Sequence, residues 1–463
     1  MSTKPTHDER GDLTTGSIPK KLLMFSLPMI AGNLISQLYN VVDSIVVGNF
    51  VGSDALAAVS ASFPIMMLFN AMFWGIAVGS GIVISQNFGA KRYDVLNKAV
   101  NTSFALVYIS GIIITILGTA FSGPLLRLLG TPENIINDST IYLAIIFAGT
   151  LGNMAYNIGG GILRGMGDSR WPLVFLSVSA VLNIILDLIF VVVFKWGVAG
   201  VAIATIIAHI VSGALVHMRI NSGVYPVHVS LKSMRIEKDL AATIIRLGIP
   251  AAIQNVAMSL GSVIIQSFAN RFGSNYIAAN SIVQKVDGFA VVPMMAFGMA
   301  LSTFVGQNVG AGKHDRAKEG IQVAMLSVTG FGLVLGTFMW FYGSYFMRAF
   351  TSNQVVLDIG FVGIRILAFF YFIMGMNQNL SGAMRGAGAS VAPMVTSIAG
   401  NLIRIPVAYF IAIVPNNMFG LFWAMVASIL TQFVLIFAYF RSGHWRNFSV
   451  VQHEEEPVAA AQA

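Results

Sequence analysis

The sequence predicts an all-α integral membrane protein of twelve transmembrane helices, arranged as two six-helix lobes. Three observations carry this: too little charge for a water-facing surface, twelve long apolar runs, and a six-run internal repeat. Of 463 residues, 56% are apolar and 10% charged, against about 25% charged in an ordinary soluble domain. The mean hydropathy is +0.77. A soluble multidomain enzyme and a disordered chain are excluded. Cysteine is absent, which removes disulfides, thiolate metal sites and thiol nucleophiles and leaves the redox compartment unread.

A spanning helix needs about 20 mainly apolar residues. Such runs fall at 22–48, 55–85, 98–121, 139–162, 172–194, 199–220, 243–268, 277–306, 320–342, 358–383, 392–414 and 419–440. Stretches such as Ile109–Leu117 do not alternate, which excludes a barrel. Lys and Arg near span ends stay cytoplasmic. With the N-terminus inside, 20 of the 27 basic residues lie inside, Arg164 and Arg385 among them. Four (Arg127, Lys195, Arg271, Arg348) lie outside and three (Lys285, Arg365, Arg404) within spans. Both termini are therefore expected in the cytoplasm and the protein in the plasma (inner) membrane, and the net charge of +8 reflects topology rather than nucleic-acid binding. Lys20 and Lys21 precede an apolar stretch, but Asn33 and Gln37 interrupt it and no small-x-small site follows, so no cleavable signal is read. The tail 453–463 reads as disordered. The expected division is a tail 1–18, an N-lobe 19–220, a linker 221–240, a C-lobe 241–440 and a tail 441–463.

The two halves match at an offset of 221 residues. Asn49–Ser60 against Asn270–Ser281 gives six identities in twelve, Gln86–Asp94 against Gln307–Asp315 five in nine, and Gly161–Pro172 against Gly382–Pro393 six in twelve. Pro28 and Asn33 match Pro250 and Asn255 at 222. Six helices per repeat return the chain to the same side, so the repeats are parallel, with a cleft between two bundles that rock for alternating access. The pairs Gly161/Gly165 and Gly382/Gly386 have the spacing that lets helices approach closely, a packing role.

Only Asp43, Asp187 and Asp287 lie well inside spans, where an ionisable group is costly unless it faces protein or water. Asn33, Ser36, Gln37, Asn40 and Asp43 recur every three to four residues and share one face of the first helix, which must turn inward. For the amides, hydrogen bonding between helices explains this; for Asp43, function is the stronger reading. Asn183 lies one turn before Asp187. Counted from the outer span ends at about 1.5 Å per residue, Asp43, Asp187 and Thr205 share one depth, about 8–10 Å below the outer surface. Two carboxylates in one dry pocket do not both ionise cheaply: one keeps its proton, or a bound cation neutralises the pair. The oxygens of Asn183, Thr205 and a carboxylate suit Na⁺ or a proton relay; no other metal and no cofactor is expected. Asp287 is read first as an ion pair to a neighbouring helix and second as a cavity contact. His209, one turn after Thr205, is read as an interior hydrogen-bonded residue before a relay. Pro28 removes a backbone donor and is expected to kink the first helix.

LeuTyrAsnValValAsp at 38–43, GlnAsnPheGlyAlaLys at 86–91, LeuArgGlyMetGlyAspSer at 163–169, LeuAsnIleIleLeuAsp at 182–187, GlyValAlaGlyValAlaIleAlaThr at 197–205 and MetArgGlyAlaGly at 384–388 resemble the multidrug and toxic compound extrusion (MATE) family. The likeness covers residues 17–440. It implies two lobes in a V and export of bulky amphipathic or cationic compounds in exchange for H⁺ or Na⁺; a monomer is expected. Within the family, positions matching Asp43, Tyr142, Asn157, Asn183, Asp187 and Thr205 form a first-lobe cation site; Asn153, one turn above Asn157, is a rival for that position. Another branch carries acids in the second lobe, where this chain has Met258 and Met374, so that site is expected to be missing. The alternative is a flippase for a lipid-linked saccharide, which requires a strongly cationic central cavity, whereas three basic residues fall within spans. An enzyme is not expected: there is no HisGluxxHis, GxSxG or P-loop, and residues 310–314 lack both the spacing and the Ser/Thr.

Overall fold

The structure, a computed structural model, describes residues 11–230, 232 and 234–451, without the side chains of Asn40, Ser44 and Met72. The expectations for Asn40 and for the tail 453–463 lie outside the described residues. Fourteen α-helices are described: α1 (Ile18–Val46), α2 (Ser53–Gly89), α3 (Tyr93–Leu128), α4 (Ile136–Ala148), α5 (Thr150–Gly165), α6 (Arg170–Asp187), α7 (Gly197–Ile220), α8 (Lys238–Ala269), α9 (Gly273–Gly310), α10 (His314–Arg348), α11 (Gln354–Ala368), α12 (Tyr371–Gly386), α13 (Val391–Ala408) and α14 (Gly420–Arg441).

These make twelve spans. The continuous apolar stretch over 238–310 is 73 residues long, more than twice what a bilayer needs, and holds both α8 and α9. Helices α4 and α5 meet at 49° and form the fourth span; α11 and α12 meet at 52° and form the tenth. The breaks, at Gly149 and at Phe369–Phe370, are equivalent in the two halves. So are the π-helical turns Leu188–Val193 after α6 and Tyr409–Ile413 after α13. A third π turn, Val47–Val51, ends the first span. Helix α1 runs unbroken through Pro28. Rows of exposed apolar side chains, such as Ile109, Ile112, Ile113 and Ile116 on α3, face lipid, and each lobe has its own buried core.

The lobes meet where α2 packs along α8 and α9, and α1 along α9. Gly75 and Gly248 allow the α2–α8 approach, because a Cβ at either would strike the other's carbonyl. Gly161 faces Ala77 on α2, and Gly382 and Gly386 face the α9 backbone at Gly298 and Ser302, which is the close packing their spacing predicts. The linker is tied to the first lobe: the Tyr225 hydroxyl donates to Asp168 Oδ2 at 2.5 Å and Asn101 Nδ2 to the His228 carbonyl at 2.9 Å.

The first and last described segments lie at one end of the bundle and bridge the lobes there. In the N-terminal segment, Gly11 rests on Met166 and Gly167 of the first lobe. Leu13 N–H donates to Gln307 Oε1 (2.9 Å), and Lys313 Nζ to the Thr14 carbonyl (2.9 Å), in the second. In the C-terminal segment, Phe448 rests on Gly388 of the second lobe, while Val450 N–H donates to Gln86 Oε1 (2.6 Å) in the first.

Candidate first-lobe ion site

The first lobe encloses a cavity of about 760 Å³. Ser36, Gln37, Tyr39 and Asp43 reach it from α1, Tyr142 from α4, Asn153 and Asn157 from α5, Asn183 from α6, and Thr205 and His209 from α7. Asn33, one turn nearer the chain-terminal end than Gln37, is not on its wall. Asp187, the last residue of α6, is fully buried. Its carboxyl group and that of Asp43 share a hydrogen bond. The Asn183 amide is satisfied when its nitrogen donates to Asp187 Oδ2 (2.8 Å) and its oxygen accepts from Thr205 N–H (3.2 Å). The Thr205 hydroxyl donates to the Val201 carbonyl at 3.0 Å. Oδ1 of Asp43 and Oδ1 of Asp187 are buried and have no hydrogen-bond partner among the described residues.

This arrangement has a direct chemical consequence. Two carboxyl groups this close and this buried do not both ionise cheaply, so such a pair is suited to sharing one proton or to being neutralised by a cation. The nearby donors are oxygens of carboxyl, amide and hydroxyl groups, a hard set suited to H⁺ or Na⁺ rather than to transition metals. A π turn begins four residues after Asp43 and another immediately after Asp187; such turns interrupt the regular ladder and are frequent at functional sites.

Asn157 and Asn153 act together, the Asn157 Nδ2 donating to Asn153 Oδ1 at 2.8 Å and to its carbonyl at 2.9 Å. Sequence reasoning missed Tyr39, which lines the same cavity as Asp43 and Thr205; the signal was its place one turn before Asp43.

The second lobe corrects one expectation. Asp287 has no cation within ion-pair distance among the described residues. Lys285, two positions away and so on another helix face, lies over the Phe350 ring at 5.6 Å. Arg404 shares a 270 Å³ cavity with Asp287 without reaching it. Arg365 is taken up by the Phe361 ring, 4.1 Å away.

A third cavity, of about 210 Å³, lies between the lobes, and Met258 and Met374 line it. So do Arg164 and Arg385, which the sequence placed among cytoplasmic span-end charges. They sit in the last turns of α5 and α12, where a topological marker and a cavity residue have the same sequence appearance.

Comparison with known proteins agrees with this architecture. The MatE family model matches residues 28–189 and 250–410, two copies offset by 222 residues at their starts and 221 at their ends. Over 92% of this chain and 94% of its own length, the probable multidrug resistance protein YoeA of Bacillus subtilis is 30% identical. The probable multidrug resistance protein YpnP of the same organism is 31% identical over 94% of this chain and 97% of its own. A solved outward-facing multidrug resistance MATE family transporter of the MOP superfamily superposes with a TM-score of 0.88 at 22% identity, covering 96% of this chain and all of that one. With two copies of the family model and full-length relatives at 30% identity, this twelve-span chain belongs to the MatE family of multi-pass membrane transporters and is not an enzyme.

Proposed function

We propose that the protein is a secondary active antiporter of the plasma membrane. It exports bulky amphipathic or cationic organic compounds in exchange for H⁺ or Na⁺, with both termini cytoplasmic and Asp43 and Asp187 carrying the coupling ion. The single observation behind this reading is the buried Asp43–Asp187 carboxyl pair, hydrogen-bonded together and opening through Asp43 onto a polar cavity. A charge at that depth is tolerated only when it is neutralised, so the occupancy of the pair by H⁺ or Na⁺ is felt by every helix that packs on it. Helix α1 carries Asp43 and also packs on α9 of the other lobe, which links ion occupancy to the contact between lobes. The names of the relatives, multidrug resistance and multidrug export proteins, support export of organic compounds and do not favour the flippase alternative.

The test is efflux of a rhodamine dye from proteoliposomes under separately imposed pH and Na⁺ gradients. Acceleration by one gradient is expected. Efflux indifferent to both overturns the antiport reading.

A further inference from the structure

We infer that the cavity between the lobes takes an amphipathic organic compound by its anionic group, clamped between Arg164 and Arg385. The inference rests on reading the chain as an exporter, and it names the substrate class.

The two arginines are repeat equivalents, 221 positions apart, in LeuArgGlyMetGly and MetArgGlyAlaGly. Each comes from a different lobe, and both half-buried side chains face the same cavity. No Asp or Glu among the described residues stands on the wall of that cavity. Among the described residues no carboxylate lies within ion-pair distance of either guanidinium. Arg385 Nη1 donates to Gln254 Oε1 at 3.2 Å, which uses one of the five N–H donors a guanidinium carries. Arg219 is the contrast: it has the Asp168 carboxylate at 3.9 Å and the Trp171 ring at 4.6 Å. Neither cavity arginine has such a carboxylate among the described residues.

Two cations facing a largely apolar cavity are costly without a counter-charge. The planar fork of each guanidinium matches the paired oxygens of a carboxylate, sulfonate or phosphate. The rest of the wall is apolar and adaptable, with Met29, Met258, Met295, Met299 and Met374 beside Trp74, which suits bodies of varied shape. Basic groups are thus concentrated between the lobes, while the carboxyl pair lies in a separate first-lobe cavity. A substrate with an anionic group, zwitterions included, fits this division better than a simple cation.

The test compares rhodamine B, which has a free carboxylate, with its ethyl ester, which has the same ring system and none. Fluorescence polarisation with purified full-length protein in phosphatidylcholine nanodiscs is expected to show the acid bound at least about 10-fold more tightly. Arg164→Gln and Arg385→Gln should each remove that preference without weakening ester binding. The lysine variants, which keep the charge, should retain part of it and control for folding. Nanodiscs containing phosphatidylglycerol separate two sources of the anionic group. Loss of the acid preference there assigns the site to an anionic lipid headgroup, and an unchanged preference assigns it to a free solute; either supports the clamp. Equal binding of acid and ester by the wild type, or a preference that survives both glutamine variants, overturns it. Gradient-driven ester efflux does not involve the carboxylate. Its presence without acid preference therefore overturns this inference alone, and its loss with acid preference intact overturns the antiport reading alone.

Discussion

Gln86 and Gln307, equivalent residues of the two repeats, each donate a hydrogen bond to backbone of the opposite lobe. Gln86 Nε2 donates to the Gly386 carbonyl (2.9 Å) and Gln307 Nε2 to the Gly165 carbonyl (3.0 Å). Each amide oxygen accepts from a chain-terminal backbone N–H, Val450 for Gln86 and Leu13 for Gln307. Gly89 and Gly310 lie against Gln307 and Gln86, where a Cβ would strike backbone. The closure at this end is therefore made of backbone contacts and buried amide bonds, and it is two-fold.

Removing it opens this end. A buried hydrogen bond is worth about 1 kcal/mol, so Gln86→Ala with Gln307→Ala shifts the equilibrium by about 10-fold or more. The chain has no cysteine, so a single Ser302→Cys on the wall of the inter-lobe cavity reports access cleanly. Maleimide labelling from the side that carries the termini should accelerate about 10-fold in the double variant. An unchanged rate shows that other contacts hold the closure.

Asp43→Asn and Asp187→Asn keep the shape of the pair and remove its titrating group. Each should abolish gradient-driven efflux while leaving the folded protein monodisperse. Tyr39→Phe, which deletes a hydroxyl from the cavity wall beside the pair, should weaken ion dependence about 3- to 10-fold. Wild-type coupling in both aspartate variants removes the first-lobe site.

Exchange requires ion and substrate to favour opposite-facing states, and a ligand shifts an equilibrium only by its differential affinity. Substrate binding should weaken as pH falls or Na⁺ rises, and by reciprocity substrate should weaken ion binding. The dependence should vanish in Asp43→Asn. Equal dye affinity at acid and neutral pH, with and without Na⁺, leaves the carboxyl pair structural.

Met258→Ala and Met374→Ala remove adaptable wall from the inter-lobe cavity without touching the carboxyl pair. Dye affinity should fall about 2- to 5-fold, and ion dependence should be unchanged. Loss of ion dependence in either places the coupling site in the second lobe.

Asp12 gives the N-terminal segment a pH dependence of known sign. Burial pushes its carboxyl up, but hydrogen bonds from Thr14 N–H (2.7 Å) and the Thr15 hydroxyl (2.9 Å), with the Lys21 charge nearby, outweigh this and hold it below the usual carboxylate range. A group lowered in the folded state contributes stability above its unfolded value, about 3.9, and loses it as pH falls through the lowered one. The anisotropy of a dye on Ser17→Cys should be constant from pH 5 to 8 and drop only below about pH 4. Asp12→Asn should lower it across that range. A wild-type transition near neutral pH contradicts the assignment.

All twelve spans were legible because lipid demands long apolar runs, and the repeat because two lobes use the same motifs. The Asp43–Asp187 pair was legible from depth: distance along a membrane helix is distance from the surface, so residues far apart in sequence share a level. Direction around a helix was not. Asn33 belongs to the same polar face as Gln37 yet misses the cavity, and Arg164 and Arg385 resemble any span-end charge until two lobes turn them toward one space. The bends at Gly149 and Phe369–Phe370 fall inside apolar runs, where the run alone does not locate them.

The two terminal segments have a consequence for anything attached to them. Each is fastened to both lobes at the closed end, and two bodies that rock apart do not both keep the same short strap. If the proposed exchange proceeds by such rocking, each turnover unfastens these two segments and refastens them. The N- and C-termini become handles on the switch: a bulky fusion at either one is a mechanical load on the transporter, and a donor–acceptor dye pair across them times its cycle.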